Sequence, residues 1–117
     1  MTAHEVGQQL VEHFNKGEFG PIYQNLYSND ILSVEADGKE YKGMDAINAK
    51  NEWWEQTMVT HSGNAKGPFP HGDQFAVIYN MDVTEKESGT RFVMEEVGVY
   101  TVKDGRITEE RFFYSMG

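Results

Sequence analysis

The chain has 117 residues, 38% of them hydrophobic and 25% charged, so it can build one hydrophobic core and is not compositionally disordered. Its 10 basic side chains against 19 acidic ones give a net charge of −9, which repels phosphate backbones and anionic lipids and so disfavours nucleic-acid and membrane partners. The absence of cysteine excludes disulfides, thiolate catalysis and sulfur-based zinc sites.

The N-terminal sequence shows no secretory signal. It lacks a basic start followed by an apolar run, and no apolar stretch approaches membrane-spanning length. Together with the lack of cysteine, which suits a reducing compartment, these features predict a cytoplasmic protein.

The first half of the chain shows mainly helical patterns. Thr2 and Glu5 form a capping-box signature for a first helix, which Gly17 is placed to end. The patterns that follow predict a second helix over Gly20–Leu26, two short strands over Ile31–Ala36 and Lys39–Lys42, and a third helix from Gly43 to about Gln56.

From Met58 onward the apolar residues recur with a period of two, which is typical of strands. Asp104-Gly105 is a strong hairpin signal because both residues tolerate positive φ, whereas the two prolines between Gly67 and Gly72 interrupt the pattern. The predicted strands are Val59–Lys66, Gln74–Glu85, Arg91–Val102 and Arg106–Tyr114. The order of elements indicates an α+β fold, with N-terminal helices packed on one face of a curved, mainly antiparallel sheet.

His61 is the strongest acid/base candidate because an imidazole titrates near neutral pH. Under strict alternation it shares a strand face with Gly63 and Ala65, whose small side chains would leave cavity space in front of the ring. The alternative is a strand histidine that is hydrogen-bonded in the core or in an interface.

Two carboxylates could accompany His61. Glu96 lies on an apolar strand face that runs from Phe92 to Tyr100, so burial of that face would enclose a carboxylate able to orient the histidine ring. The opposite face, which carries Glu95, is also apolar, so either Glu95 or Glu96 is expected to be enclosed. Asp82 lies opposite the apolar face of its strand, which points it towards solvent or a dimer partner unless a bulge reverses the faces.

Further pocket candidates come from the third helix and the last strand. Trp53 and Trp54 point about 100° apart on a helix, so one is expected to pack on the sheet while the other roofs a pocket or covers an interface. Glu110 and Tyr114 share one strand face, which suits either a cavity mouth or edge packing. No metal-ligand spacing or phosphate-binding loop is present, so no metal or cofactor is predicted.

Several segments resemble small SnoaL-like proteins of the nuclear transport factor 2-like superfamily. They are Tyr41-Lys42-Gly43-Met44-Asp45-Ala46-Ile47, Lys50-Asn51-Glu52-Trp53-Trp54, His61-Ser62 and Gly67-Pro68-Phe69-Pro70-His71-Gly72. The resemblance covers nearly the whole chain and implies one SnoaL-like domain over residues 1–117. It also implies a cone-shaped sheet, a cavity between sheet and helices, and commonly a homodimer.

Two activities of this superfamily can be compared with the sequence. In steroid isomerases the base position falls on Glu35 or, with a shift of one, on Ala36, while the oxyanion-hole positions fall on Gly98 and near Leu10. The missing oxyanion hole disfavours steroid isomerisation. Polyketide cyclases use a His–Asp arrangement. His61 and Asp82 are residues of the right types, but they do not match its positions. Periodicity, in contrast to this comparison, makes Glu35 exposed rather than cavity-lining.

The sequence therefore predicts a protein that holds a small, largely apolar organic molecule. Cofactor-free isomerisation, cyclisation or hydration would use His61 as acid or base and Glu96 as its partner, with Trp54 or Tyr114 as a positioning wall. The alternative is a non-catalytic ligand-binding or protein-interaction module. The valine-rich face of Arg91–Val102 additionally predicts a two-fold homodimer.

Overall fold

Three helices pack on one face of a six-stranded curved sheet in the computed structural model, which describes residues 1–115. The elements in chain order are α1 Ala3–Asn15, α2 Phe19–Asn25, β1 Tyr27–Val34, β2 Glu40–Lys42, α3 Gly43–Thr57, β3 Met58–His71, β4 Gln74–Glu85, β5 Arg91–Lys103 and β6 Arg106–Phe113. This arrangement confirms the predicted α+β class and the packing of helices on a mainly antiparallel sheet.

The strands follow the order β2-β1-β6-β5-β4-β3, and every neighbouring pair is antiparallel except β1 with β6. We call the sheet face that packs against the helices the inner face and the opposite one the outer face. The core between the inner face and the helices contains Val6, Leu10, Ile22, Leu26, Ile31, Ile47, Phe75, Val77, Tyr79, Tyr100 and Ile107.

Local signals at both ends of the chain form as predicted. The Thr2 hydroxyl accepts from the Glu5 backbone at 3.2 Å, while the Glu5 carboxylate accepts from the Thr2 backbone at 3.0 Å, which completes the capping box of α1. At the β5–β6 hairpin, Asp104 and Gly105 have φ of 52° and 77°, the left-handed conformation that this two-residue turn requires.

Two predicted strand boundaries are wrong by four residues or more. β3 does not end at Lys66 but continues through both prolines to His71, with a register shift between Lys66 and Phe69. Prolines are tolerated there because β3 is an edge strand, where a missing N–H leaves no ladder bond unmade. β1 starts at Tyr27 rather than Ile31, because its pairing with Ile107 of β6 extends the strand.

None of the helices within residues 1–115 combines the length and apolar character needed to cross a membrane.

Candidate functional site

A cavity of about 1070 Å³ lies between the inner face of the sheet and the helices. Aromatic side chains contribute much of its wall: Phe14, Phe19, Tyr23, Tyr27, Tyr41, Trp53, Trp54, Tyr79, Tyr100, Phe112 and Tyr114. Such a wall suits the apolar body of a small organic molecule, while a few polar groups within it would fix the orientation of that molecule.

Lys50 of α3 supplies a cation inside this aromatic wall. Its ammonium donates to Glu35 Oε1 at 2.8 Å and to Ser33 Oγ at 2.9 Å. The same nitrogen lies 5.1 Å from the ring centre of Tyr41 and 5.2 Å from that of Phe112, within cation–π range. Lys50 is thus held by charge, hydrogen bonds and aromatic faces together.

Glu110 of β6 is the most deeply buried carboxyl group at the site, with 2% of the residue exposed. Ser33 donates to its Oε2 at 2.7 Å, Tyr27 donates to its Oε1, and Lys50 Nζ lies 3.8 Å from Oε2. Burial raises the pKa of Glu110, and the nearby Lys50 ammonium partly opposes this.

These contacts belong to one continuous hydrogen-bonded chain, because the Tyr114 hydroxyl also donates to Glu35 Oε2 at 3.0 Å. The chain, called the polar network below, consists of Tyr27, Ser33, Glu35, Lys50, Glu110 and Tyr114. It joins two strands, β1 and β6, and the residues directly after them to α3 along the cavity, so a change at one member reaches the others.

Glu96 lies on the inner face of β5, directly opposite Tyr79 of β4, and forms no side-chain hydrogen bond with any other residue of 1–115. Burial raises the pKa of Glu96 to about 7, repulsion from Glu35 and Glu110 adds to the rise, and Lys50 opposes it. A carboxyl group that titrates near neutral pH can both take up and release a proton, as general acid–base chemistry requires.

Five of the predicted site residues come together in the cavity wall: Glu35, Trp54, Glu96, Glu110 and Tyr114. Glu35 was expected to be exposed, but it lies on the inner face of β1 together with the buried Ile31 and Ser33. The face predicted to be the inner one, with Leu32, Val34 and Ala36, is the opposite face. Polar side chains can occupy that face because Lys50 binds both Ser33 and Glu35.

His61 lies outside the cavity wall, which corrects its expected position. The side chain is exposed, and its Nε2 lies 2.7 Å from Thr84 Oγ1 on the outer face. A bulge between Thr60 and Ser62 breaks the strict alternation, so Gly63 faces the cavity while His61 does not.

Asp82 is also absent from the cavity wall, in agreement with its outward orientation under alternation. Arg91 binds its carboxylate through two nitrogens at 3.0 and 2.8 Å. This hydrogen bonding holds the pKa of Asp82 below its usual range. The His–Asp pair considered by analogy with polyketide cyclases is therefore not assembled in the cavity.

Lys50, Ser33 and Tyr27 were missed by the sequence-based predictions. For Lys50 a signal exists, because it follows Ile47 by three residues and precedes Trp54 by four, which places it on the inward stripe of the helix. No local pattern marks Ser33 or Tyr27, since their partner Glu110 is far away in the sequence. Within residues 1–115, no group of three or more histidine, aspartate or glutamate side chains is arranged to hold a metal ion.

The family model of the SnoaL-like domain matches residues 1–114. A crystal structure from Mesorhizobium loti, provisionally named a SnoaL-like polyketide cyclase with carbohydrate phosphatase as a second name, is 39% identical and superposes with a TM-score of 0.92. That match covers 97% of this chain and 100% of the other. No curated protein matches this chain significantly.

More distant structures share the fold alone. A Pseudomonas putida protein, provisionally named a polyketide cyclase, is 17% identical with a TM-score of 0.76, covering 99% of this chain and 93% of its own. A Catenulispora acidiphila protein with a ketosteroid isomerase-like fold, solved in complex with trimethylamine, is 16% identical with a TM-score of 0.76. The match covers 98% of this chain and 88% of the other.

Proposed function

Since the chain belongs to the SnoaL-like domain family, we propose that its cavity binds a small, largely apolar organic molecule and moves a proton on it with the chain's own side chains. Isomerisation, cyclisation and hydration are the reactions of this kind. The observation that carries the proposal is Glu96, a half-buried carboxyl group that lines an aromatic cavity and whose pKa is raised to about 7.

The cavity supports a division of roles. Glu96 takes or gives the proton, because it is a half-buried carboxyl group of the cavity wall that has no hydrogen-bond partner among residues 1–115. Lys50 stabilises negative charge that develops on the substrate, because its ammonium group is already held in place and need not reorganise. Trp54, whose indole donates to Thr60 Oγ1 at 3.2 Å, forms part of the wall against the apolar body.

A non-catalytic ligand-binding module is the second candidate function. Within residues 1–115 every buried side-chain nitrogen and oxygen has a hydrogen-bond partner. The polar network is therefore satisfied without a ligand, as expected of a network whose role is structural. In this alternative the cavity binds its molecule and releases it unchanged.

Native mass spectrometry of gently purified protein tests binding first, by identifying a retained small molecule. That molecule, supplied to the protein in deuterated water, should exchange a carbon-bound proton, which NMR detects. Glu96→Gln is expected to slow the exchange about a hundredfold or more, because the amide cannot accept the proton. Glu95→Gln, the exposed neighbour, should retain the parent rate.

The outcomes separate the two candidates. Exchange that depends on Glu96 supports the proton-transfer role, whereas binding without any exchange in the parent protein assigns the non-catalytic role. Exchange at the parent rate in Glu96→Gln would contradict the role given to Glu96.

We further propose a two-fold homodimer formed through the outer face of the sheet. Val93 is 70% exposed there, and Val59 and Phe113 are exposed as well, so the face presents apolar area to solvent in the monomer. Sedimentation of the parent at micromolar concentration should show a dimer, and Val93→Asp should yield a monomer because it buries an unpaired charge. Gln8→Asp on α1, on the other side of the sheet, is the matched control, and a monomeric parent would contradict the proposal.

A further inference from the structure

Two tyrosines from neighbouring strands meet deep in the cavity. Tyr79 of β4 and Tyr100 of β5 both line the wall, and their hydroxyl groups are hydrogen-bonded to each other. Both residues are buried, with 5% and 2% exposed. We call these two residues the tyrosine pair.

The surroundings hold this pair in place. Gly98 leaves the space that the Tyr100 hydroxyl occupies, since a Cβ added at Gly98 would lie only 3.0 Å from that oxygen. The Tyr100 ring stacks on Phe75 with ring centres 4.9 Å apart, and the Tyr79 ring packs against Phe14 at the same distance. The hydroxyl groups are therefore positioned before any ligand arrives.

The tyrosine pair has one hydroxyl proton that it can donate to a ligand. Two hydroxyl groups carry two protons, and one proton lies between the two oxygens. The other has no acceptor within hydrogen-bonding distance among residues 1–115. Burial raises the pKa of both Tyr79 and Tyr100, so both remain protonated phenols near neutral pH.

A buried O–H group without an acceptor is costly, so a ligand that supplies an acceptor gains binding energy there. An anionic acceptor is disfavoured, because burial penalises its charge and the Glu110 carboxyl group lies nearby. A carbonyl oxygen accepts without donating and carries no net charge. It therefore matches the single remaining proton.

We infer that the ligand is a carbonyl compound whose oxygen accepts a hydrogen bond from the tyrosine pair. This inference rests on the proposed function, because it names the ligand class for the same cavity. The Tyr100 hydroxyl lies over Gly98. Gly98 follows Glu96 by two residues on the inner face of β5, which corresponds to about 7 Å along the strand. A bound carbonyl oxygen thus sits within a few bonds of the carbon that Glu96 would serve.

Two probe molecules of nearly the same shape test the inference: 2-acetylnaphthalene, and 2-isopropenylnaphthalene, in which a methylene group replaces the carbonyl oxygen. Their affinities can be measured by calorimetry for the parent and for the double variant Tyr79→Phe/Tyr100→Phe. The double variant should fold, because replacing both partners of a buried hydrogen bond by apolar groups of the same shape is nearly neutral for stability.

In the parent protein the ketone should bind about two- to tenfold more tightly than the hydrocarbon. The double variant should lose this preference while its affinity for the hydrocarbon stays unchanged. The single variants Tyr79→Phe and Tyr100→Phe then identify the hydroxyl that contacts the ligand. Circular dichroism of each variant verifies its fold.

Equal affinities for ketone and hydrocarbon in the parent, or a preference that survives in the double variant, would overturn the inference. If proton exchange on the retained ligand still depends on Glu96 in that case, the proposed function stands and only the role of the tyrosine pair fails. If neither probe binds the parent at all, the carbonyl inference is overturned directly.

Discussion

Replacing Lys50 with methionine is expected to lower the free energy of unfolding by about 3 to 5 kcal/mol at pH 8. Lys50 Nζ lies 2.8 Å from Glu35 and 3.8 Å from Glu110, and the Lys50 side chain is only 19% exposed. Removing the cation leaves both carboxyl groups enclosed, close to each other and without a counter-charge. Denaturant-induced unfolding, followed by circular dichroism, measures the loss.

The loss should shrink as the pH falls. Burial already raises the pKa of Glu110, and Lys50 acts against that rise, so the variant's folded state binds the Glu110 proton more tightly still. Once the carboxyl group is protonated, its uncompensated charge disappears. The double variant Lys50→Met/Glu110→Gln should for the same reason recover a large part of the stability at pH 8.

Lys16→Met is the matched control, because Lys16 also contacts a glutamate at 2.8 Å, namely Glu12, but both side chains are exposed. Surface pairs of this kind contribute little, so its stability should stay close to that of the parent. A Lys50→Met variant as stable as Lys16→Met at pH 8 would show that the polar network tolerates the loss of its cation.

The free energy of unfolding of Glu96→Gln, relative to that of the parent, is expected to increase by roughly 3 kcal/mol between pH 4.5 and pH 8. The pKa of Glu96 rises from the ordinary 4.5 to about 7 on folding. Between these pH values the unfolded chain has released its proton while the folded protein still holds it, so unfolding releases a proton and parent stability falls with rising pH. Above about pH 7 the full loss is present.

The sign of this effect distinguishes an enclosed carboxyl group from an ordinary one. Glutamine keeps the shape of the side chain and does not titrate, so it removes the pH-dependent loss at this position. Glu95→Gln changes the exposed neighbour on the outer face and should follow the parent across the same range. A stability difference between Glu96→Gln and the parent that does not vary with pH would refute the raised pKa.

Much of the fold could be predicted because its signals are local. The capping box at Thr2 and Glu5 and the turn at Asp104-Gly105 act within a few residues, and the period of two from Met58 onward marks long strands. The same alternation placed Glu95 and Glu96 on opposite faces of β5, because β5 runs without a bulge until Thr101. Both faces are apolar, so only the structure shows that Glu96 is the one that lines the cavity.

The rest of the candidate site depends on contacts between residues far apart in the sequence. Alternation failed for His61, because a bulge between Thr60 and Ser62 depends on how β3 registers against β4. For Glu35 the alternation holds, but the assumption that the more apolar strand face is the inner one fails, because a lysine from α3 makes a polar inner face of β1 stable.

The sequence by itself determined the α+β class, the succession of helices and hairpins and the placement of Glu95 and Glu96 on opposite strand faces, since short-range backbone preferences and side-chain alternation decide these features. Only the tertiary structure decided that Lys50 joins Glu35 to Ser33, that Tyr27 and Ser33 bind Glu110, and that Tyr79 meets Tyr100. Each of these contacts needs two separate elements to be packed at one register, and no local pattern specifies that register.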